Sequence, residues 1–213
     1  MKLIDLSHTL RNGMPVFPGD TAPSFSKAMT HQKDGAQVIR MELATHHGTH
    51  LDCPLHFIAD AGSTESSDIS NFFGKAFLVD CRNFGKGEQI PASHFAEMDM
   101  DWESVSWVVI YTGWYKNWGT DEYFNHFPVL SSGAANFLVE KGIKGIGLDV
   151  ISIDAIDSAH FPVHQIVLGN GLYIIENLTN LHLIPRKYFR LAAFPLKIHD
   201  GDGSPVRAVA ITD

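Results

Sequence analysis

Residues 46–56, His46-His47-Gly48-Thr49-His50-Leu51-Asp52-Cys53-Pro54-Leu55-His56, restrict what this chain can build more than any other stretch. His46, His50, Asp52 and His56 all occupy even-numbered positions, so an extended backbone presents them on one face. A helix of about 3.6 residues per turn separates His50 from Asp52 by roughly 200°, and Gly48 and Pro54 both oppose a regular helix. On a straight strand His46 and His50 stand roughly 13 Å apart at ~3.3 Å per residue, too far to share an ion. Gly48 permits a curl, and Pro54 turns the chain so that His56 comes back toward the same centre. The segment reads as a metal cradle. Imidazole with carboxylate suits zinc, manganese or iron, whereas calcium wants a cage of oxygen.

Composition narrows the setting. The 213 residues fit one domain spanning 1–213, and a hydrophobic content of 45% fills a sizeable core. A net charge of −8 supplies no clustered basic surface, so neither nucleic acid nor an anionic membrane is an expected partner. Asp5 and His8 fall where a signal peptide needs its apolar core, and no apolar run reaches transmembrane length. Cys53 and Cys81 are too few for a disulfide scaffold, which points to the cytoplasm. Cys53 sits between Asp52 and Pro54 but alternates away from the ligand face, and reads as a small packed residue.

Strand-like runs cover residues 76–81, 105–111, 145–150, 172–176 and 207–211. The clearest helix spans 132–141, with serines as caps, Ala135, Leu138 and Val139 at helical spacing, and Gly142 as a stop; a second falls near 91–98. The stretch up to Gly35, rich in Pro, Gly, Thr and Ser, predicts turns between short strands. Together these elements predict a compact mixed α/β domain.

Two further residues extend the pattern. His164 lies in Pro162-Val163-His164-Gln165-Ile166-Val167-Leu168, and Glu176 follows twelve residues later at the end of Leu172-Tyr173-Ile174-Ile175. On spacing alone, Glu176 reads better as the start of the next turn than as a ligand. At this point the chain resembles the cyclase family of metal-dependent hydrolases, which includes bacterial kynurenine formamidase and isatin hydrolase. The resemblance rests on His-x-Gly-Thr-His-x-Asp-x-Pro-x-His, matched without a gap from His46 to His56. It extends to Asp5-Leu6-Ser7-His8-Thr9-Leu10, Pro15-Val16-Phe17-Pro18-Gly19-Asp20, Tyr111-Thr112-Gly113-Trp114, Gly147-Leu148-Asp149, Ser152-Ile153-Asp154, Glu176-Asn177-Leu178 and Asp202-Gly203-Ser204-Pro205-Val206-Arg207-Ala208.

The resemblance implies a swivelling β/β/α fold with a mixed sheet, assembled as a homodimer or homotetramer. It implies that His46, His50 and Asp52 hold one metal, that Asp52 bridges toward a second held by His164 and Glu176, and that His56 is the catalytic acid or base. The cofactor would be Zn²⁺ or Mn²⁺, one or two ions per subunit. His160 is the rival to His164, and the spacing to Glu176 favours His164. Phe17 stands where related chains often carry Trp in the substrate pocket; it keeps an apolar face and loses the indole N–H. Trp114, Tyr115, Trp118, Tyr123 and Phe124 supply either a pocket wall or ordinary packing.

The implied reaction is hydrolysis of a small amide, an N-formyl arylamine of the N-formylkynurenine kind or a cyclic amide such as isatin or a cyclic imide. Two readings from other classes stand beside it. His50, Asp52 and His164 have the form of an iron oxygenase triad, and a metal-binding protein without catalysis needs the ligands but not His56.

Overall fold

The computed structural model describes residues 1–212. Its strands, in chain order, are β1 (Lys2–Asp5), β2 (Ser24–Met29), β3 (Val38–Glu42), β4 (His50–Asp52), β5 (Phe73–Asp80), β6 (Gln89–Ile90) and β7 (Trp107–Tyr111). They continue with β8 (Val129–Leu130), β9 (Gly145–Leu148), β10 (Tyr173–Glu176), β11 (Tyr188–Ala192), β12 (Gly203–Pro205) and β13 (Val209–Thr212). The α-helices are α1 (His31–Asp34), α2 (Ala92–Ala96), α3 (Ser132–Glu140) and α4 (Pro162–Gly169). No helix among the described residues is long and apolar enough to cross a membrane.

Nine strands form one mixed sheet in the order β1-β13-β11-β5-β7-β9-β10-β4-β12. The middle, β5-β7-β9-β10, is parallel. Parallel neighbours need crossover connections, and α3 leads into β9 as α4 leads into β10. Antiparallel strands flank this middle on both sides, with β4 held between β10 and β12.

Strand alternation distributes the side chains between two cores. Val108 and Ile110 join Phe77, Val79, Ile146, Leu148 and Ile174 in a core shared with Leu138 of α3 and Val163 and Val167 of α4. Trp107, Val109 and Tyr111 enter the second core with Leu51, Ile175, Leu191 and Ala210. Residues from strands far apart in the sheet order meet in that second cluster, as a curled sheet requires. A strand buried on both faces has no polar alternation, which is why residues 107–111 read as continuous apolar sequence.

The five expected strands all form, with shifted ends; the first begins three residues earlier than expected, at Phe73, and the last runs from Val209. α3 starts as the sequence predicts, with Ser131 Oγ accepting from Ala134 N–H at 3.1 Å. Helix α4 escapes the sequence reading because Val163, Ile166 and Val167 are β-branched and look strand-like. β2 falls in the stretch up to Gly35 expected to hold short strands, whereas β3 escapes the sequence reading because neither strand of the hairpin buries a residue and no hydrophobic period marks it.

The N-terminal segment straps this framework to the site. Leu6 N–H bonds Ala208 O at 2.9 Å, Thr179 N–H bonds Leu6 O at 2.9 Å, and His8 N–H donates to Thr49 Oγ1 at 2.9 Å. The His8 ring stacks on Trp118 at 3.9 Å, and its Nε2 is buried with no hydrogen-bond partner. Burial lowers its pKa from 6.5 to about 4. Between those values the unfolded chain binds a proton that the folded chain refuses, so stability falls as pH drops from 6.5 toward 4. His8→Phe keeps the stack and removes that proton. Its melting temperature is expected to exceed the parent's by a margin that widens on acidification from pH 8 to pH 4.5; a constant margin would assign the acid sensitivity elsewhere.

Candidate metal centre

β4 brings the centre together because its two neighbours come from distant parts of the chain. Glu176 of β10 and Pro205 of β12 both lie opposite His50, while Gly203 lies opposite Asp52. His50 and Asp52 share one face of β4, and Leu51, like the following Cys53, is buried in the second core. His46 and His56 arrive by turns. Gly48 adopts φ +66°, and a Cβ there would collide with the Leu10 side chain. Residues Pro54–His56 form a single 3-10 turn that stacks the His56 ring on His46 at 3.8 Å. Helix α4 supplies His164, which is buried.

Three histidines are each held by one ring nitrogen. His50 Nδ1 pairs with Gly48 O at 2.9 Å, His164 Nδ1 with Asp154 Oδ2 at 2.8 Å, and His46 Nε2 with Asp202 Oδ2 at 2.9 Å. Their other nitrogens face the carboxylates. His46 Nδ1 lies 2.7 Å from Asp52 Oδ1, and His50 Nε2 lies 3.2 Å from Asp52 Oδ1 and 3.5 Å from Glu176 Oε2. His164 Nε2 is 3.4 Å from Glu176 Oε1 and 3.9 Å from Asp52 Oδ2. An acceptor on one imidazole nitrogen fixes the ring and frees the other for a metal, the arrangement found behind metal-binding histidines.

The electrostatics demand positive charge here. Asp52 is 1% exposed and Glu176 5%. Burial raises the Asp52 carboxyl pKa, and the charges of His50 and His46 overcome that effect and hold it well below the usual carboxylate range. Burial also opposes a charged His164, but hydrogen bonds to Asp154 and Glu176 outweigh it and raise the imidazole to about 10. The same contest, with Asp52 and Asp202 as the anions, raises His46 to about 10.

Asp52 Oδ2 nevertheless has no hydrogen-bond partner, although it is buried. Ligand atoms of His46, His50 and Asp52 lie within 4.8 Å of one another, as do those of Asp52, His164 and Glu176. Mixed nitrogen and oxygen donors around an unsatisfied, shared carboxylate fit divalent transition metals.

These groups open onto a cavity of about 430 Å³. Phe17, Phe57, Ile151 and Phe161 form apolar wall, and His46, His50, His56, His164 and Glu176 line it too. Phe161 holds φ at +43° just before α4, a costly conformation for a bulky residue. That conformation sets its ring 5.7 Å from Phe57 and 6.3 Å from Phe17.

The model of the Cyclase family, described as "Putative cyclase", matches residues 4–155. A kynurenine formamidase of Bacillus mycoides (strain KBAB4) is 33% identical over 207 residues, covering 97% of this chain and 95% of the relative. The chain belongs to the cyclase family. A solved isatin hydrolase bound to the product analogue thioisatinate has a TM-score of 0.91 at 26% identity, covering 99% of this chain and 92% of its own. Isatin hydrolase A from Labrenzia aggregata, bound to benzyl benzoate, has a TM-score of 0.86 at 28% identity, covering all of this chain and 94% of its own. The mixed α/β architecture expected from the sequence is therefore the architecture of the family.

Within this cyclase-family fold His46, His50, Asp52, His56, His164 and Glu176 all come together, whereas His160 is exposed. Trp114, Trp118 and Phe124 pack against the first core around buried Tyr123 and do not line the cavity. The sequence reading gave no role to Asp202, Asp154 or Phe161. The first two stand in motifs the sequence displays, and Asp202 is flanked by Gly201 and Gly203; nothing marks Phe161 beyond its place before Pro162. Asp149 also acquires a structural account: its buried carboxylate accepts from Thr112 N, Thr112 Oγ1 and Gly113 N at 2.6–2.9 Å, fixing the turn after β7.

Asp154 carries two duties at once. Besides holding His164 Nδ1 it accepts Val163 N–H at 3.1 Å and His164 N–H at 2.9 Å, serving the otherwise unbonded start of α4. Asp154→Ala should therefore cost about 1–3 kcal/mol. Chemical denaturation checks the value, and hydrogen exchange should locate the loss in α4; unchanged protection there would remove Asp154 as its cap.

Proposed function

We propose that this cyclase-family chain is an amidohydrolase that uses a divalent metal to cleave a small aromatic amide. The observation that carries the reading is the shared buried carboxylate of Asp52, with an unpartnered oxygen between two groups of ligand-type side chains. His46, His50 and Asp52 would hold one ion, and Asp52, His164 and Glu176 a second, with Zn²⁺ or Mn²⁺ as the metal. Bound there, the metal supplies a water of lowered pKa, from about 15.7 to about 7, and polarises the amide carbonyl.

The chain's own residues complete the chemistry. His56 lines the cavity beside His46 and is partly exposed. It takes the proton of the attacking water and returns it to the departing nitrogen, a task suited to an imidazole, which can accept a proton at one ring nitrogen and later release it. Water adds to the carbonyl carbon, the C–N bond breaks, and the products are a carboxylic acid and an amine. Phe17, Phe57 and Phe161 orient a flat aromatic ring and keep bulk water from it.

The similarity to kynurenine formamidases favours an N-formyl arylamine, and the similarity to isatin hydrolases makes a cyclic amide the alternative. Neither relative supports the oxygenase reading. The fully unburied β2–β3 hairpin, with Met29, Val38, Ile39 and Met41 exposed, supports a homo-oligomer, since isolated two-stranded ribbons are marginal in water. Cys53 and Cys81 are buried free thiols, consistent with the cytoplasm as the compartment.

Chelation should abolish hydrolysis of N-formylkynurenine or isatin, and zinc or manganese should restore it; full turnover by protein shown to be metal-free would end this reading. Asp52→Asn should lose metal on elemental analysis. His56→Ala should keep its metal and lose about 10²–10⁴-fold in kcat. Metal loss in His56→Ala would make it a ligand instead.

A further inference from the structure

Asp202 belongs to neither ligand group around Asp52, yet its carboxylate touches two histidines of the centre. Oδ2 lies 2.9 Å from His46 Nε2 and 3.4 Å from His56 Nδ1. Because the two rings stack at 3.8 Å with 27° between their planes, one carboxylate edge bridges nitrogens of both. The three side chains form a third close group, which shares His46 with the first and does not contain Asp52.

The backbone fixes Asp202 to the same segment that carries His56. Asp202 O accepts Cys53 N–H at 2.9 Å, three residues before His56. The next residue must be glycine, because a Cβ on Gly203 would stand 2.7 Å from His46 Cε1 and 2.8 Å from Leu51 O. The start of β12 is therefore shaped around the His46 ring, and the Asp202 carboxylate is delivered to the stacked pair by strand register rather than by a flexible loop.

We propose that Asp202 is a positioning residue that holds His56 with its Nδ1–H toward the carboxylate, leaving Nε2 to move the proton. The inference rests on the acid/base role given to His56 above. By accepting from His46 as well, Asp202 ties the proton-transfer ring to a ligand ring, so that the two keep a fixed separation while substrates exchange. A carboxylate or carbonyl on one imidazole nitrogen is the ordinary means of selecting a histidine tautomer.

The test uses ¹⁵N-histidine-labelled, zinc-loaded protein, with the His56 signals assigned by their loss in His56→Ala. The parent should show His56 protonated at Nδ1, Asp202→Ala should shift it toward the Nε2–H form, and Asp202→Asn should retain part of the bias through its amide oxygen. An unchanged tautomer in Asp202→Ala overturns the proposal. For N-formylaniline, Asp202→Ala should lower kcat by about 10–100-fold with little change in KM, and zinc content should hold. Adding Asp202→Ala to His56→Ala should cost at most about twofold more, since coupled residues are not additive. An equal loss in both backgrounds, parental kcat in Asp202→Ala, or zinc loss that accounts for the drop would each refute it. If the parent fails on every amide tried, the hydrolase reading fails, while the tautomer measurement still decides the role of Asp202.

Discussion

The structure turns on burying the carboxylates of Asp52 and Glu176 beside one another at one side of a nine-strand sheet. Removing an unpaired charge from water costs several kcal/mol, and two like charges at close quarters cost more. The surrounding residues answer that cost in layers. Three imidazoles face the carboxylates, and each imidazole is held from behind by a carbonyl or another carboxylate. Ile153 N–H donates to Glu176 Oε1 at 2.8 Å. The shape of the centre is thus a consequence of charge compensation as much as of packing.

The same logic explains why so many polar groups are conscripted at some distance. Asn177, at φ +58°, donates from Nδ2 to Gly48 O, the carbonyl that also receives His50 Nδ1, and accepts the Tyr123 hydroxyl at 2.7 Å. Thr49 Oγ1 donates to Asn177 O while accepting from His8 N–H. The backbone around His50 is consequently fixed by the side chains of Thr49, Tyr123 and Asn177 together with the backbone N–H of His8. Fixed donors of this kind need little reorganisation when charge develops, which is what an acyl-transfer site requires.

How much of this was legible in the sequence depended on whether the determining contacts were local. The 46–56 cradle was readable because Gly48, Pro54 and the even-numbered His46, His50, Asp52 and His56 all lie within eleven residues. Even so, strand alternation describes only His50 and Asp52; His46 and His56 reach the centre through turns. His164 was found by motif, yet the helix that carries it was not, since β-branched residues at helical spacing mimic a strand until tertiary packing decides. Asp202 and Phe161 were silent because their roles arise from β12 register and from a strained φ, neither of which leaves a periodic trace.

The placement of β4 between β10 and β12 has a kinetic meaning. The distal pair, His164 and Glu176, sits on a helix and the strand that follows it, a unit that can form from neighbouring sequence. The residues of β4 have no such independence, because their partners lie more than 120 positions away on one side and about 150 on the other. Closing loops of that length is the slow part of building a sheet. The proposed ion site, which sets His50 and Asp52 of β4 beside Glu176 of β10, is therefore complete only once those two distant strands have paired.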